Sequence, residues 1–94
     1  MIHVASAWFR REDYERFRAL APDGAGLPAM FDEWEKEALR QLAQFSKQGI
    51  VVEKIVIDPD QFVAWCRTAK IEPNQKARTQ YAVFRLQAEK PDQA

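Results

Sequence analysis

The stretch Ile55-Val-Ile-Asp-Pro-Asp-Gln-Phe-Val-Ala-Trp-Cys66 constrains this chain more than any other. An apolar run ends at Ile57 and a helix start follows at once. Asp58 is a cap residue, because its carboxylate can accept an amide proton from the first helical turn. Pro59 then stands at the first helical position, where its missing N–H removes nothing. Gln61, three residues after the cap, completes a variant capping box, and Ile57 and Phe62 stand at the two positions of a hydrophobic staple. Four signals agree on one strand-to-helix junction.

The same reasoning orders the rest of the chain. Ile2 to Phe9 is apolar on both parities, the pattern of a strand covered on both faces. Tyr14, Phe17 and Leu20 or Ala21 recur at helical spacing, so a short helix is expected from Glu12 to about Leu20. Pro22 to Leu27, with two glycines, forms a turn-rich loop. A long helix follows, from Ala29 or Asp32 to Gln48. Its apolar stripe is Phe31, Trp34, Ala38, Leu42 and Phe45, widened by Leu39. Either Pro28 begins it or Asp32 and Glu35 form a capping box. Gly49 suits the left-handed position that ends a helix.

Ile50 to Ile57 is rich in β-branched residues and reads as the second strand. Helix three runs from Pro59 to about Lys70, with Phe62, Trp65, Cys66 and Ala69 inward. The last helix runs from about Asn74 to Glu89, with Ala77, Tyr81, Phe84 and Ala88 as its inner stripe. Residues 79–86 carry strand propensity as a rival. Residues 1–89 are therefore one globular domain, and 90–94, with Pro91 and no large apolar side chain, a frayed tail.

The resulting order is β-α-α-β-α-α. The fold class is α/β, with α+β as the variant: a two-stranded parallel sheet covered by four helices. A helical crossover between parallel strands is right-handed. Strand pairs alone are marginal, so either the helices cover the sheet well or it grows through an exposed edge by dimerisation.

Charge narrows the function. Fourteen basic and fourteen acidic residues cancel, which removes the simplest argument for a nucleic-acid or anionic-membrane partner. From Trp65 to Lys90, however, bases outnumber acids six to two. Arg67, Lys70, Arg78 and Arg85 are thus the candidate residues for a nucleic-acid face. One cysteine excludes an internal disulfide and a multi-cysteine zinc site, and Cys66 reads as a buried structural thiol. His3 has no companion for a metal or a catalytic pair, so no catalytic residue, metal or cofactor is expected. No signal-peptide pattern or membrane-length apolar run is present, and a soluble cytoplasmic protein is expected.

In an open parallel sheet, ligands bind beyond the carboxyl ends of the strands. Arg10 and Arg11 end the first strand there, and Asp58 and Asp60 follow the second, so these four are the candidate ligand-binding residues. The competing expectation is that they pair with one another and with nearby charges. The three tryptophans, Trp8, Trp34 and Trp65, are expected mainly in the core, and one left exposed would mark a recognition surface.

The segments Phe31-Asp-Glu-Trp, Gly49-Ile-Val-Val and Asp58-Pro-Asp-Gln-Phe-Val-Ala-Trp-Cys-Arg resemble pieces of small uncharacterised bacterial proteins of this length. The resemblance spans roughly residues 8 to 85. Its motifs are structural junctions, so it implies no activity, cofactor or site. Binding is the expected role, to a protein partner or a second copy of the chain. Nucleic-acid binding is the alternative, and a small enzyme at the strand edge the third.

Overall fold

The computed structural model describes residues 2–20 and 26–89. The expected loop from Pro22 falls mostly, and the expected tail wholly, outside them. Strand β1 (Ile2–Trp8) is followed by one 3-10 turn (Arg11–Asp13) and helix α1 (Tyr14–Arg18). Helix α2 (Phe31–Lys47), strand β2 (Ile50–Val56), helix α3 (Pro59–Ala69) and helix α4 (Gln75–Glu89) complete the order. The expected β-α-α-β-α-α architecture is present, and residues 79–86 are helical.

β1 and β2 are parallel, in register from Ile2 opposite Ile50 to Trp8 opposite Val56. The Ile57 amide extends the ladder by donating to the Trp8 carbonyl at 3.0 Å. In a parallel ladder, residues pointing both backbone groups at the neighbour alternate with residues pointing both away. Trp8 points at β2, so Ser6 and Val4 do too. Ala5 and Ala7 then turn their N–H and C=O away from β2, toward the outer edge.

The junction that opened the sequence folds as its residues dictate. Asp58 has extended backbone and accepts the Gln61 amide at 2.9 Å. Ile57, Pro59 and Phe62 are buried. At the other end, Lys70 adopts the left-handed conformation at φ 60°. The Ile71 amide donates back to Cys66 and the Lys70 amide to Arg67, a Schellman closure achieved without glycine. Gly49 ends α2 in the left-handed region, at φ 76°. Asn74 caps α4, accepting the Ala77 amide at 2.9 Å.

One face of the sheet carries the core. Ile55 and Ile57 join Phe9, Tyr14 and Phe17 from the β1–α1 segment, Phe62 and Cys66 from α3, and Ala77, Tyr81 and Ala82 from α4. Ala5 and Ala7 pack against this cluster. The opposite face, with Val4, Ser6 and Val52, looks toward α2. Three layers result: α2, the strand pair, then α3 and α4.

Two helices sit differently from expectation. α2 starts after Met30 with no side-chain cap, since Asp32 is drawn to Arg11 at 2.7 Å. None of its residues is fully buried; an aromatic cluster holds its amino end, where Trp34 lies 4.9 Å from Trp8 and 4.8 Å from Phe9 between ring centres. In α4 the buried set is Ala77, Arg78, Tyr81 and Ala82, while Phe84 is 48 % exposed and Ala88 is exposed. The helix is turned toward Arg78, whose aliphatic stem covers apolar surface. All three tryptophans are half-buried, and Trp65 and Trp34 pack on the core's margin.

Candidate functional site

The carboxyl ends of the strands do gather the four charged residues expected there, but each is held by another charge. Arg10 contacts Asp13 at 2.7 Å and Asp58 at 3.4 Å. Arg11 pairs with Asp32 and lies 4.6 Å from the Phe31 ring centre. Asp60 pairs with Arg16 of α1. The hydrogen bond to Asp13 raises the Arg10 pKa further above its ordinary value. These contacts fasten the 3-10 turn and α1 to α2 and α3.

The basic residues of α3 and α4 divide in depth. Arg67 and Lys70 are exposed and Arg85 is half-buried beside the Tyr81 ring. Arg78 is 5 % exposed and turns inward, its guanidinium carbon 5.6 Å from the Phe9 ring centre. Burial lowers its pKa, which the nearby Tyr14 hydroxyl partly offsets.

Cys66 is buried, and burial pushes its thiol pKa up, the reverse of what a nucleophilic cysteine needs. His3 sits across the strand pair from Glu53, at 3.4 Å. Among the described residues, no three potential ligands cluster to hold a metal ion, and no helix is long and apolar enough to cross a membrane.

A concavity lies along the outer edge of β1. It is a cleft of about 410 Å³ with Ala5, Ser6 and Ala7 at its floor. Trp34, Ala38 and Gln41 of α2 line one side and Gln75, Arg78 and Thr79 of α4 another, while Phe9 and the segment Gly26, Leu27 and Pro28 before α2 also line it. Glu37 also borders the cleft, its carboxylate held by Arg40 and Gln41, so that hydrogen bonding from Arg40 lowers its pKa. A second hollow of about 250 Å³ continues from the first and shares Ala5, Ser6, Ala38 and Gln41 with it. Its remaining lining is Val4, Leu42, Phe45 and Val52. Together they form one groove that follows β1, polar on the α4 side and, apart from Glu37 and Gln41, apolar on the α2 side.

This groove exists because the middle of β1 is Ala-Ser-Ala. Larger side chains there would fill the space between the helices. The outward N–H and C=O groups of Ala5 and Ala7 stand at its floor; among the described residues the sheet has two strands, and none pairs with this edge. The sequence signalled the thin sheet and its open edge. The position of Arg78 in the wall was not evident, because α4 takes a different inward face from the one its large apolar residues suggest.

No protein-family model, curated protein or solved structure matches the chain. That agrees with a sequence resemblance that carried no named function.

Proposed function

We propose that this chain is a protein-binding domain that takes an extended segment of a partner along β1, as an added strand. The supporting observation is the outer edge of β1 lying at the floor of a groove walled by α2 and α4. Among the described residues no strand pairs with this edge, an open edge is a template for another strand, and strand addition is a recurrent mode of peptide recognition. The flanking helices favour a lone extended segment over a second copy of the chain, because a copy would bring its own helices against these walls.

Magnitudes set what else the groove must supply. The two N–H and two C=O groups of Ala5 and Ala7, at about 0.5–1.5 kcal/mol per hydrogen bond, give roughly 2–6 kcal/mol. Micromolar binding needs about 8 kcal/mol. Side chains of the bound segment must contribute the remainder, by burial at about 25 cal/mol per Å².

Selection of phage-displayed random peptides against the full chain tests this reading. Selected peptides should bind wild-type protein and lose at least tenfold in affinity with Ala5→Pro or Ala7→Pro, which each delete one outward N–H. Lys54→Pro, on the outer edge of β2, should bind normally. Circular dichroism checks that all three fold. Absence of enrichment, or binding indifferent to the β1 prolines, refutes strand addition. A homodimer in light scattering that the β1 prolines abolish would place a second copy in the groove instead.

A further inference from the structure

We infer that the hollow between α2 and the strand pair is a binding site for a small uncharged aromatic molecule with one hydrogen-bonding group, of the size of a phenol or an indole. This inference stands apart from strand addition, because it concerns a free molecule in the hollow and needs no segment on β1.

The hollow has a volume of about 250 Å³. Its room is left by two small residues, Ala38 on the helix and Ser6 on β1. The helix does not pack fully onto the sheet here: Leu42 is half-buried and Phe45 is 38 % exposed. Apolar atoms bordering an empty space lose the contacts that a filled core would give them, and the loss grows with the volume. A ligand restores those contacts. Volume sets its size. A dry apolar cavity of roughly 150 Å³ takes a benzene ring, whereas pockets for drug-sized ligands start at about 300 Å³. One substituted ring, or two fused rings, falls between these limits.

Chemistry sets its class. Val4, Leu42, Phe45 and Val52 supply apolar surface, and among the described residues that line the hollow none is charged. An ion would lose its water there without a counter-charge, so the ligand is neutral. The partly exposed Phe45 ring favours an aromatic guest, since ring pairs in edge-to-face or offset geometry gain beyond the area they bury. The polar side chains at the hollow are Ser6 and Gln41. A hydroxyl both donates and accepts, so Ser6 can meet one N–H or O–H on the ring. The Gln41 Nε2 donates to Glu37 at 3.3 Å, which leaves the amide oxygen as a second acceptor. Ala5, Ser6, Ala38 and Gln41 border both the hollow and the neighbouring cleft, and that shared rim is the way in.

The test uses the full chain with indole as the probe, read by two-dimensional NMR and thermal melts. Indole should shift the amides of Ser6, Leu42, Phe45 and Val52 and saturate. At about ten times its Kd it should raise Tm by about 5–10 °C, because it binds the folded chain alone. Benzoate, a charged ring, should do neither. Ser6→Ala should weaken indole about fivefold and leave toluene, which has no hydrogen-bonding group, unchanged. Ala38→Phe, which fills the hollow, should abolish binding of both; the amide shifts in wild type locate the site whether or not that variant folds. Absence of shifts and of a Tm rise, shifts centred on the Trp8–Trp34 pair instead, equal binding of benzoate, unchanged indole affinity in Ser6→Ala, or undiminished binding to folded Ala38→Phe would each overturn the inference. None of these results touches strand addition, which the β1 prolines decide.

Discussion

The Asp58 carboxylate lies 2.9 Å from the Gln61 amide and closes the first turn of α3. Its other oxygen faces Arg10 at 3.4 Å. The cap and the ion pair differ in weight. Removing a capping side chain costs about 0.5–2 kcal/mol, whereas an exposed ion pair gives roughly 0–1 kcal/mol. Asp58→Ala should therefore lower the urea midpoint clearly, and Asp58→Asn, which keeps the cap and loses the charge, should stay close to wild type. Equal losses in the two variants would transfer the role to Arg10.

Lys70 holds a left-handed backbone at φ 60°. An L-residue with a Cβ is strained there, and glycine is not. Lys70→Gly should stabilise the protein by about 1 kcal/mol, seen as a higher denaturation midpoint with an unchanged slope. The same variant removes one exposed charge of the candidate nucleic-acid set. A salt-dependent affinity for DNA or RNA that fell with this substitution would support that alternative.

Phe62 and Phe84 contrast two depths. Phe62 is fully buried against Phe17 and Tyr81, with ring centres 5.8 and 5.6 Å away. Phe62→Ala should cost about 3–5 kcal/mol, a large part of the roughly 5–14 kcal/mol available to a domain of this size. Phe84 stands half in solvent, beside Tyr81 and Trp65, and Phe84→Ala should cost under about 1.5 kcal/mol. Thermal melts followed by circular dichroism separate the two.

Alkaline pH should destabilise the fold in two stages. Burial raises the Cys66 thiol above its ordinary 9.0 and the Tyr14 hydroxyl above its ordinary 10.0. Each group keeps its proton in the folded chain at a pH where the unfolded chain has released it. By linkage, the stability is fully present below about pH 9 and falls as pH rises past each group's unfolded value. Unfolding free energies from pH 7 to 11 should decline first from the thiol and then from the phenol. Cys66→Ala should remove the earlier decline.

Much of the architecture was legible because it is written locally. Asp58, Pro59 and Gln61 specify a junction within four residues, and Gly49 specifies a helix end by itself. The right-handed crossover follows from chain chirality once both strands are recognised. The last helix was legible as a helix, but not its rotation. Helical periodicity in α4 is compatible with inner faces one residue apart, and packing against Phe9 selected the one that contains Arg78. The charged residues at the strand ends were correctly placed near one another, yet sequence alone could not separate mutual pairing from a ligand site. The groove depends on what Ala5, Ser6 and Ala7 fail to fill, and empty space leaves only a faint trace in residue identities.

No residue of α2 is fully buried, while the packed core draws its buried members from the β1–α1 segment, β2–α3 and α4. The domain is thereby split into a part that secures folding and a part that can drift. Beyond the amino end that Phe31 and Trp34 fasten to the core, mutations along α2 encounter little selective resistance from foldedness. A lineage could rewrite that wall repeatedly and acquire new tastes in what it holds, while its scaffold stayed as it is.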